Sequence, residues 1–359
     1  MTDQRRTARI AILTVSDRAA AGEYPDKGGP GAEDWLRDVI ISPVEIARHI
    51  VPDGREGVAS RLRELAEGGA DLILVTGGTG YAGRFIVEAL LAAGHELSVS
   101  GRSKPEYRFF SGPVDFVSGD LDPNNVSSAR FEGCDAFVHA AFHHVPGRFR
   151  GGEGDDPQSF RRLNVEGSLA LFEAAKKAGI ACAVFLSSRA VYGDQPPGLV
   201  LTEETEPHPD TLYGLVKRAV EEGIANMADD TFLPTTLRVT GIYGPAGPGR
   251  RHKWADLFAD FEAGRDIAPR VGTEVHGEDM AAAVRLMLEC DTNAIRAAGS
   301  LFNVSDILLD RRDLLEEYAR VTGLRNPLPG RENASAYNIM DCSRLKGLGW
   351  SPRGQLDLT

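Results

Sequence analysis

The apolar residues of this chain alternate between two spacings. Short continuous runs of strand length are separated by stretches in which apolar positions recur every three or four residues. Arg9–Ser16 (RIAILTVS) is such a run, β-branched and apolar throughout, which predicts a strand buried on both faces. Gly31–Ile41 follows with Trp35, Leu36, Val39 and Ile40 at helical spacing, then Val44–Val51 as a second strand. Glu56–Glu67 reads as a helix with Val58, Leu62 and Leu65 on one stripe, stopped by Gly68–Gly69. Further strands are predicted at Leu72–Thr76, Glu96–Ser100, Val114–Val117, Ala136–Ala140, Ala183–Ser187 and Thr235–Val239, most of them separated by apolar-periodic helices.

Strands alternating with helices predict a parallel sheet joined by right-handed crossovers, hence a doubly wound α/β fold. The stretches 192–212, 240–275 and 300–359 break the rhythm and are richer in Pro and Gly. They are expected to form a small cap at the carboxyl edge of the sheet. The expected division is therefore a βαβα segment at 1–69 and a dinucleotide-binding domain at 70–240 that continues through 276–305. A substrate-binding cap would come from 241–275 and 306–359.

Composition narrows the classes of function. With 40 Lys+Arg against 52 Asp+Glu the formal net charge is −12, which argues against a nucleic-acid or anionic-membrane partner. No apolar run approaches the ~20 residues of a membrane span. The opening MTDQRRTARI lacks the apolar core of a signal peptide. Cys134, Cys182, Cys290 and Cys342 are scattered with no CxxC pair, as in a reduced cytoplasmic protein with no structural zinc. His143–His144 lack carboxylate or Cys partners at ligand spacing, so no metal site is expected.

Gly makes up 40 of the 359 residues, and its position carries more than its number. Gly77, Gly80 and Gly83 form G-x-x-G-x-x-G between the strand Leu72–Thr76 and a helix predicted from Arg84 to Ala93. Glycines there allow a tight turn and a close backbone approach to a pyrophosphate at a helix N-terminus. The next strand ends Gly101-Arg102, where an NAD site would present Asp or Glu. The Arg102 guanidinium suits a ribose 2′-phosphate, so NADP is favoured over NAD. Asp120, after the third strand, is a candidate contact to the adenine. Tyr213 and Lys217 stand four apart at the start of a helix and so share a face, downstream of Ser187–Ser188 at a strand end.

These motifs carry a family resemblance over roughly the last 280 residues. TGGTGYAG (76–83), His139-Ala140-Ala141, Asn164-Val165-Glu166-Gly167, SSRAVYG (187–193), YGLVK (213–217), LRVTGIYGP (237–245), VHGED (275–279) and DCSRLKGLGWSP (341–352) occur in order. Together they resemble the extended short-chain dehydrogenase/reductases, the NAD(P)-dependent epimerases and dehydratases. The resemblance implies a Rossmann sheet and a small-molecule substrate, a sugar nucleotide or related compound, with a homodimer as the assembly it allows. It implies that Tyr213 is the acid/base, that Ser188 polarises the substrate oxygen, and that Lys217 holds the nicotinamide ribose. Gly77, Gly80, Tyr81, Ala82, Gly83, Arg102, Asp120, Leu121, Ala140 and Ala141 would line the cofactor. A free phenol titrates near ~10, so near-neutral work needs about 3 units of depression, or ~4 kcal/mol. Lys217 and an oxidised nicotinamide are the charges expected to supply it.

Two departures qualify the resemblance. Arg189 and Ala190 stand where dehydratases of this family carry an acidic pair, which argues against 4,6-dehydration. Val271-Gly272-Thr273-Glu274 stands where nucleotide-sugar enzymes usually carry an Arg, although Arg250, Arg251 and Arg270 are near in sequence.

A second resemblance covers the first 80 residues. VSDRAAAGEYPDKGGPG (15–31), Val51-Pro52-Asp53 and Leu74–Gly80 are similar to the first half of molybdopterin adenylyltransferases, with Asp53 matching a catalytic acid. The second essential Asp of that family has no counterpart after TGGTG. The two resemblances meet at Leu72–Thr76. As the central strand of a dinucleotide-binding sheet it would be flanked on both sides, so the N-terminal strands are expected to pack outside as an appendage. The overall expectation is an NADP-dependent epimerase or reductase, with a molybdopterin adenylyltransferase-like protein as the alternative.

Overall fold

The computed structural model describes residues 8–15, 28–39, 44–51, 61, 72–74, 81–102, 109–144, 153–245, 247 and 251–358. They belong to two compact units, residues 1–79 with 103–108, and residues 80–102 with 109–359. Among the described residues no helix is long and apolar enough to cross a membrane.

The smaller unit holds strands β1 (Ala8–Val15), β2 (Val44–Val51) and β3 (Leu72–Leu74) with helix α1 (Gly28–Val39). β1 pairs in parallel with β2 over eight positions, from Ala8↔Val44 to Val15↔Val51. Leu36 of α1 packs on Ile10 and Ile12, which closes one face. The expected helix 56–67 lies almost wholly outside the described residues.

The third strand corrects an expectation. β3 pairs in parallel with β1 from Ile10↔Leu72 to Ile12↔Leu74, giving the order β2-β1-β3. It therefore joins the N-terminal strands from which it was expected to be separated. The physical reason lies in β1, whose residues 10–13 are at most 4% exposed. An apolar strand of this kind takes a neighbour on each edge, and β3 supplies the second.

The larger unit is doubly wound. Helix α2 (Tyr81–Ala92) is followed by the parallel pair β4 (Ser98–Gly101) and β5 (Asp115–Ser118). A four-stranded parallel sheet of order β11-β8-β7-β6 contains β6 (Ala136–His139), β7 (Cys182–Ser188), β8 (Leu233–Val239) and β11 (Leu301–Val304). All seven residues of β8 are buried. Pro234 is tolerated there because β11 begins to pair with β8 only at Thr236, so no ladder bond is lost on that side.

Both faces of this sheet are covered. Val184 and Leu186 of β7 join Phe85 and Leu90 of α2 and Met280, Val284 and Met287 of helix α7 (Gly277–Glu289). Ala183 and Phe185 face the other way, onto Leu171, Phe172 and Ala175 of helix α4 (Gly167–Lys177) and Val220 and Ile224 of helix α5 (Leu212–Ala225). Helix α3 (Pro157–Arg161) leads into α4 through a π turn at Arg162–Glu166. A second sheet joins β9 (Gly241–Tyr243), β10 (Val271–His276) and β12 (Ile307–Asp310), with β10–β12 antiparallel. Helices α6 (Ala255–Glu262) and α8 (Arg311–Thr322) bury Phe261 and Leu315 together.

Candidate active site

The register of the parallel sheet brings His139, Ser188 and Val239 to the carboxyl ends of β6, β7 and β8. In an open α/β sheet this edge is where ligands bind. Ser188 caps the short turn Arg189–Val191, its Oγ accepting the Ala190 N–H at 3.2 Å. Thr211 caps α5 in the same way, accepting from Gly214 N at 3.1 Å. Gly214 is needed for the two caps to approach, because a Cβ there would lie 2.4 Å from the Ala190 carbonyl oxygen. The close approach brings the Tyr213 phenol beside Ser188, whose hydroxyl acts on it.

The electrostatics differ from expectation. Burial raises the Tyr213 phenol, and the Ser188 hydroxyl opposes it. Lys217 lies 5.9 Å from the phenol ring centroid, but its ammonium is engaged elsewhere. Nζ donates to the Leu186 carbonyl at 2.6 Å and sits 4.7 Å from each of the Phe142 and Phe185 ring centroids. Burial pulls its pKa down to about 7, partly offset by the Glu221 carboxylate. The expected depression of Tyr213 by Lys217 is thus not among the influences on the phenol. The lysine is itself desolvated, with ring faces and one carbonyl dipole around its charge.

The segment after β6 forms the opposite wall. Phe142 meets Tyr213 edge-on at 5.0 Å. Asn164, 1% exposed in the π turn, clamps the segment. It accepts from His143 N at 2.7 Å and donates to His143 O at 2.8 Å. A π turn inside a helix often marks a functional position; here it aims an amide at the neighbouring loop. His139 Nε2 bonds Ser168 Oγ at 2.8 Å, and Ser168 donates onward to Asn164 O at 2.6 Å. Burial and Lys217 hold His139 down at about 3, so it is neutral.

The expected cofactor residues fall at several strand ends. Gly77 and Gly80 lie outside the described residues, as does Asp53. Gly83 is in the first turn of α2, where a Cβ would meet nothing within 4 Å among the described residues. Beside it, the buried Arg84 Nε has no hydrogen-bond partner among the described residues. Open space and an orphaned donor at the N-terminus of a 12-residue helix fit an anionic dinucleotide. Arg102 is exposed just after β4, and Ala140 and Ala141 follow β6. Tyr81 donates its hydroxyl to Gly244 O at 2.8 Å, and Ala82 packs against the core. Asp120 accepts the Asp122 N–H at 3.0 Å and the Asn125 amide, so its carboxylate shapes its own loop. Leu121 is buried, and its carbonyl lies where a Cβ on Gly167 would be 1.9 Å away.

A buried group behind the triad is absent from the sequence reading. Glu221, one turn beyond Lys217, receives the Ser187 hydroxyl and the Arg238 guanidinium, the latter with Nη2–Oε2 at 2.7 Å. The available signals were a carboxylate four residues after Lys217 and an Arg one residue from the end of the strand predicted at Thr235–Val239.

Comparisons with known proteins find two family models, which overlap at residues 73–119. The model of the NAD dependent epimerase/dehydratase family matches residues 73–304. The model of a probable molybdopterin binding domain matches residues 11–119. Molybdopterin adenylyltransferase of Escherichia coli is 41% identical over 88 residues, which is 24% of this chain and 45% of that protein. The chain therefore spans less than half the length of that relative. UDP-glucose 4-epimerase of Lactobacillus helveticus is 27% identical over 315 residues, 78% of this chain and 92% of that protein. Among solved structures, UDP-glucose 4-epimerase of Stenotrophomonas maltophila with bound NAD and formylated UDP-arabinopyranose superposes with TM-score 0.64 at 24% identity, covering 77% of this chain and 92% of that one. UDP-glucose 4-epimerase of Thermotoga maritima with UDP-glucose superposes with TM-score 0.63 at 22% identity, covering 77% and 92%.

Proposed function

Because the chain belongs to the NAD dependent epimerase/dehydratase family, we propose that it oxidises and re-reduces, or simply reduces, a hydroxyl-bearing carbon of a sugar nucleotide or related compound. The observation that carries this reading is the joining of Tyr213, Ser188 and Lys217 at the carboxyl end of β7. A nicotinamide dinucleotide, when bound, supplies the hydride acceptor and donor. Tyr213 takes the proton from the substrate hydroxyl and returns it to the carbonyl oxygen. Ser188, with its N–H-anchored hydroxyl, orients the same oxygen. Lys217, held by the Leu186 carbonyl, orients the ribose. Exposed Arg102 supports NADP over NAD.

The substrate end departs from nucleotide-sugar relatives. Glu274 lies where an arginine would meet a diphosphate, and it is ion-paired with Lys253. The chain resembles UDP-glucose 4-epimerases all the same, so UDP-glucose is the first probe. The test is calorimetric titration of the purified protein with NADPH, NADH and molybdopterin, followed by UDP-glucose epimerisation in the presence of the dinucleotide that binds. Binding of NADPH or NADH with epimerisation or reduction supports the reading. Tight pterin binding with no dinucleotide binding overturns it.

One observation favours a second reading for the smaller unit. β3 pairs with β1, inside the segment that matches the molybdopterin-binding model. Under this reading the smaller unit binds a pterin, and the same titration detects it.

A further inference from the structure

Three charged side chains are stacked behind the candidate site, and their balance is uneven. Lys217 is 5% exposed. The side chains of Arg238 and Glu221 are 2% and 7% exposed. Arg238 Nε lies 3.2 Å from both Glu221 oxygens and its Nη2 2.7 Å from one. Ser187 donates a fourth hydrogen bond to the same carboxylate. Arg238 Nη1 has no partner among the described residues, and its guanidinium lies 4.7 Å from the Tyr192 ring centroid. Tyr192 in turn donates to Asn303 at 2.6 Å.

The charges around Lys217 come from every element that packs on it. β6 contributes His139, which is neutral. β8 contributes Arg238, whose guanidinium meets Glu221, and α5 itself contributes Tyr213 and Glu221. Tyr192 stays protonated because burial raises it, and Glu203 faces Tyr192, Cys342 and Arg344 instead. Two cations thus share one carboxylate in a dry interior.

We propose that Glu221, fixed by Arg238 and Ser187, is a positioning residue that sets the charge of Lys217 and so the pH range in which the Tyr213–Lys217 pair works. The geometry leaves Glu221 as the only carboxylate one helical turn from the ammonium among the described residues. Without its charge, the buried Lys217 would lose the one anion that opposes its desolvation and would give up its proton at lower pH. Without Arg238, the whole charge of Glu221 would act on Lys217, which would hold its proton to higher pH. The catalytic consequence rests on the reading above, whereas the titration of Lys217 does not.

The test is the midpoint of Lys217 titration, followed by side-chain carbon NMR of lysine with Lys217→Met identifying the signal. Glu221→Gln is expected to lower the midpoint by about one pH unit and Arg238→Met to raise it by a similar amount. Ser187→Ala keeps every charge and tests the idea without breaking the ion pair. It is expected to raise the midpoint by about a few tenths of a pH unit, because the carboxylate is less compensated. Glu221→Asp should hold the midpoint near that of the parent protein. The pH–rate profile for UDP-glucose turnover should move in the same directions. Midpoints that stay fixed, or that move the same way in Glu221→Gln and Arg238→Met, overturn the proposal. If those two variants do not fold, an unmoved midpoint in Ser187→Ala overturns it. Midpoints that move as described without turnover overturn the proposed function and leave this inference standing.

Discussion

The two units treat their apolar strands differently. In the smaller unit β1 has a partner on each edge, eight register pairs with β2 and three with β3. In the larger unit β6 pairs with β7 and β4 pairs with β5, and neither has a second partner among the described strands. The doubly wound order would put a strand between β4 and β6, and Leu72–Thr76 is the segment whose motif suits that place. The contrast teaches that one strand cannot complete two sheets, however well its sequence suits both. Chain entropy does not decide the matter. Closing about 62 residues instead of about 26 costs less than ~1 kcal/mol more. The apolar edge of β1 is the larger demand.

Core truncation should separate the units most strongly. Phe172 is fully buried among α4, β6 and β7, so Phe172→Ala should cost about 3–5 kcal/mol in the larger unit. Hydrogen exchange should show β7 and β8 amides losing protection while β1 and β2 amides keep theirs. Equal loss in both would make the comparison false. Ala11→Pro should act in reverse, removing a ladder bond from the middle of β1 and destabilising the smaller unit. The amides of residues 72–74 should then exchange faster together with those of β2. If they stay protected, β3 takes its hydrogen bonds from elsewhere and the assigned pairing is wrong.

A smaller effect sharpens the contrast between solvent and interior. Lys217 has a folded-state pKa of about 7, below its ordinary 10.5. The unfolded chain therefore binds more protons between those values, and stability rises as pH climbs from about 7 toward 10. Below about 7 both states are protonated and this contribution is flat. Lys217→Met should remove that rise from a plot of melting temperature against pH, while the smaller unit keeps the same dependence. An unchanged slope would mean that the ammonium is solvated.

Much of the site could be read from the chain because the relevant signals were local. The alternation of β7 and α5, the spacing of Tyr213 and Lys217, and the capping Ser188 are properties of short segments. β2 matches its expected bounds, and β7 and β8 extend theirs by one or two residues. What escaped depends on neighbours that sequence order does not specify. LILVT is apolar on both faces, which says that it will be paired but not with which strand. Glu221 and Arg238 resemble solvated charges until β8 is seen to be buried along its whole length. That Asp120 also braces its own loop, accepting from Asp122 and Asn125, is likewise visible only in three dimensions.

The claim on which the functional account turns is that the phenol of Tyr213 moves the proton that accompanies hydride transfer. A single-turnover measurement reaches it directly. The protein, loaded with oxidised NADP or NAD, is mixed with UDP-glucose and the absorbance of reduced nicotinamide is followed, in the parent chain and in Tyr213→Phe. The account expects reduction in the parent and a rate at least ~100-fold lower in the variant, with dinucleotide affinity unchanged. Equal rates in the two proteins would contradict it.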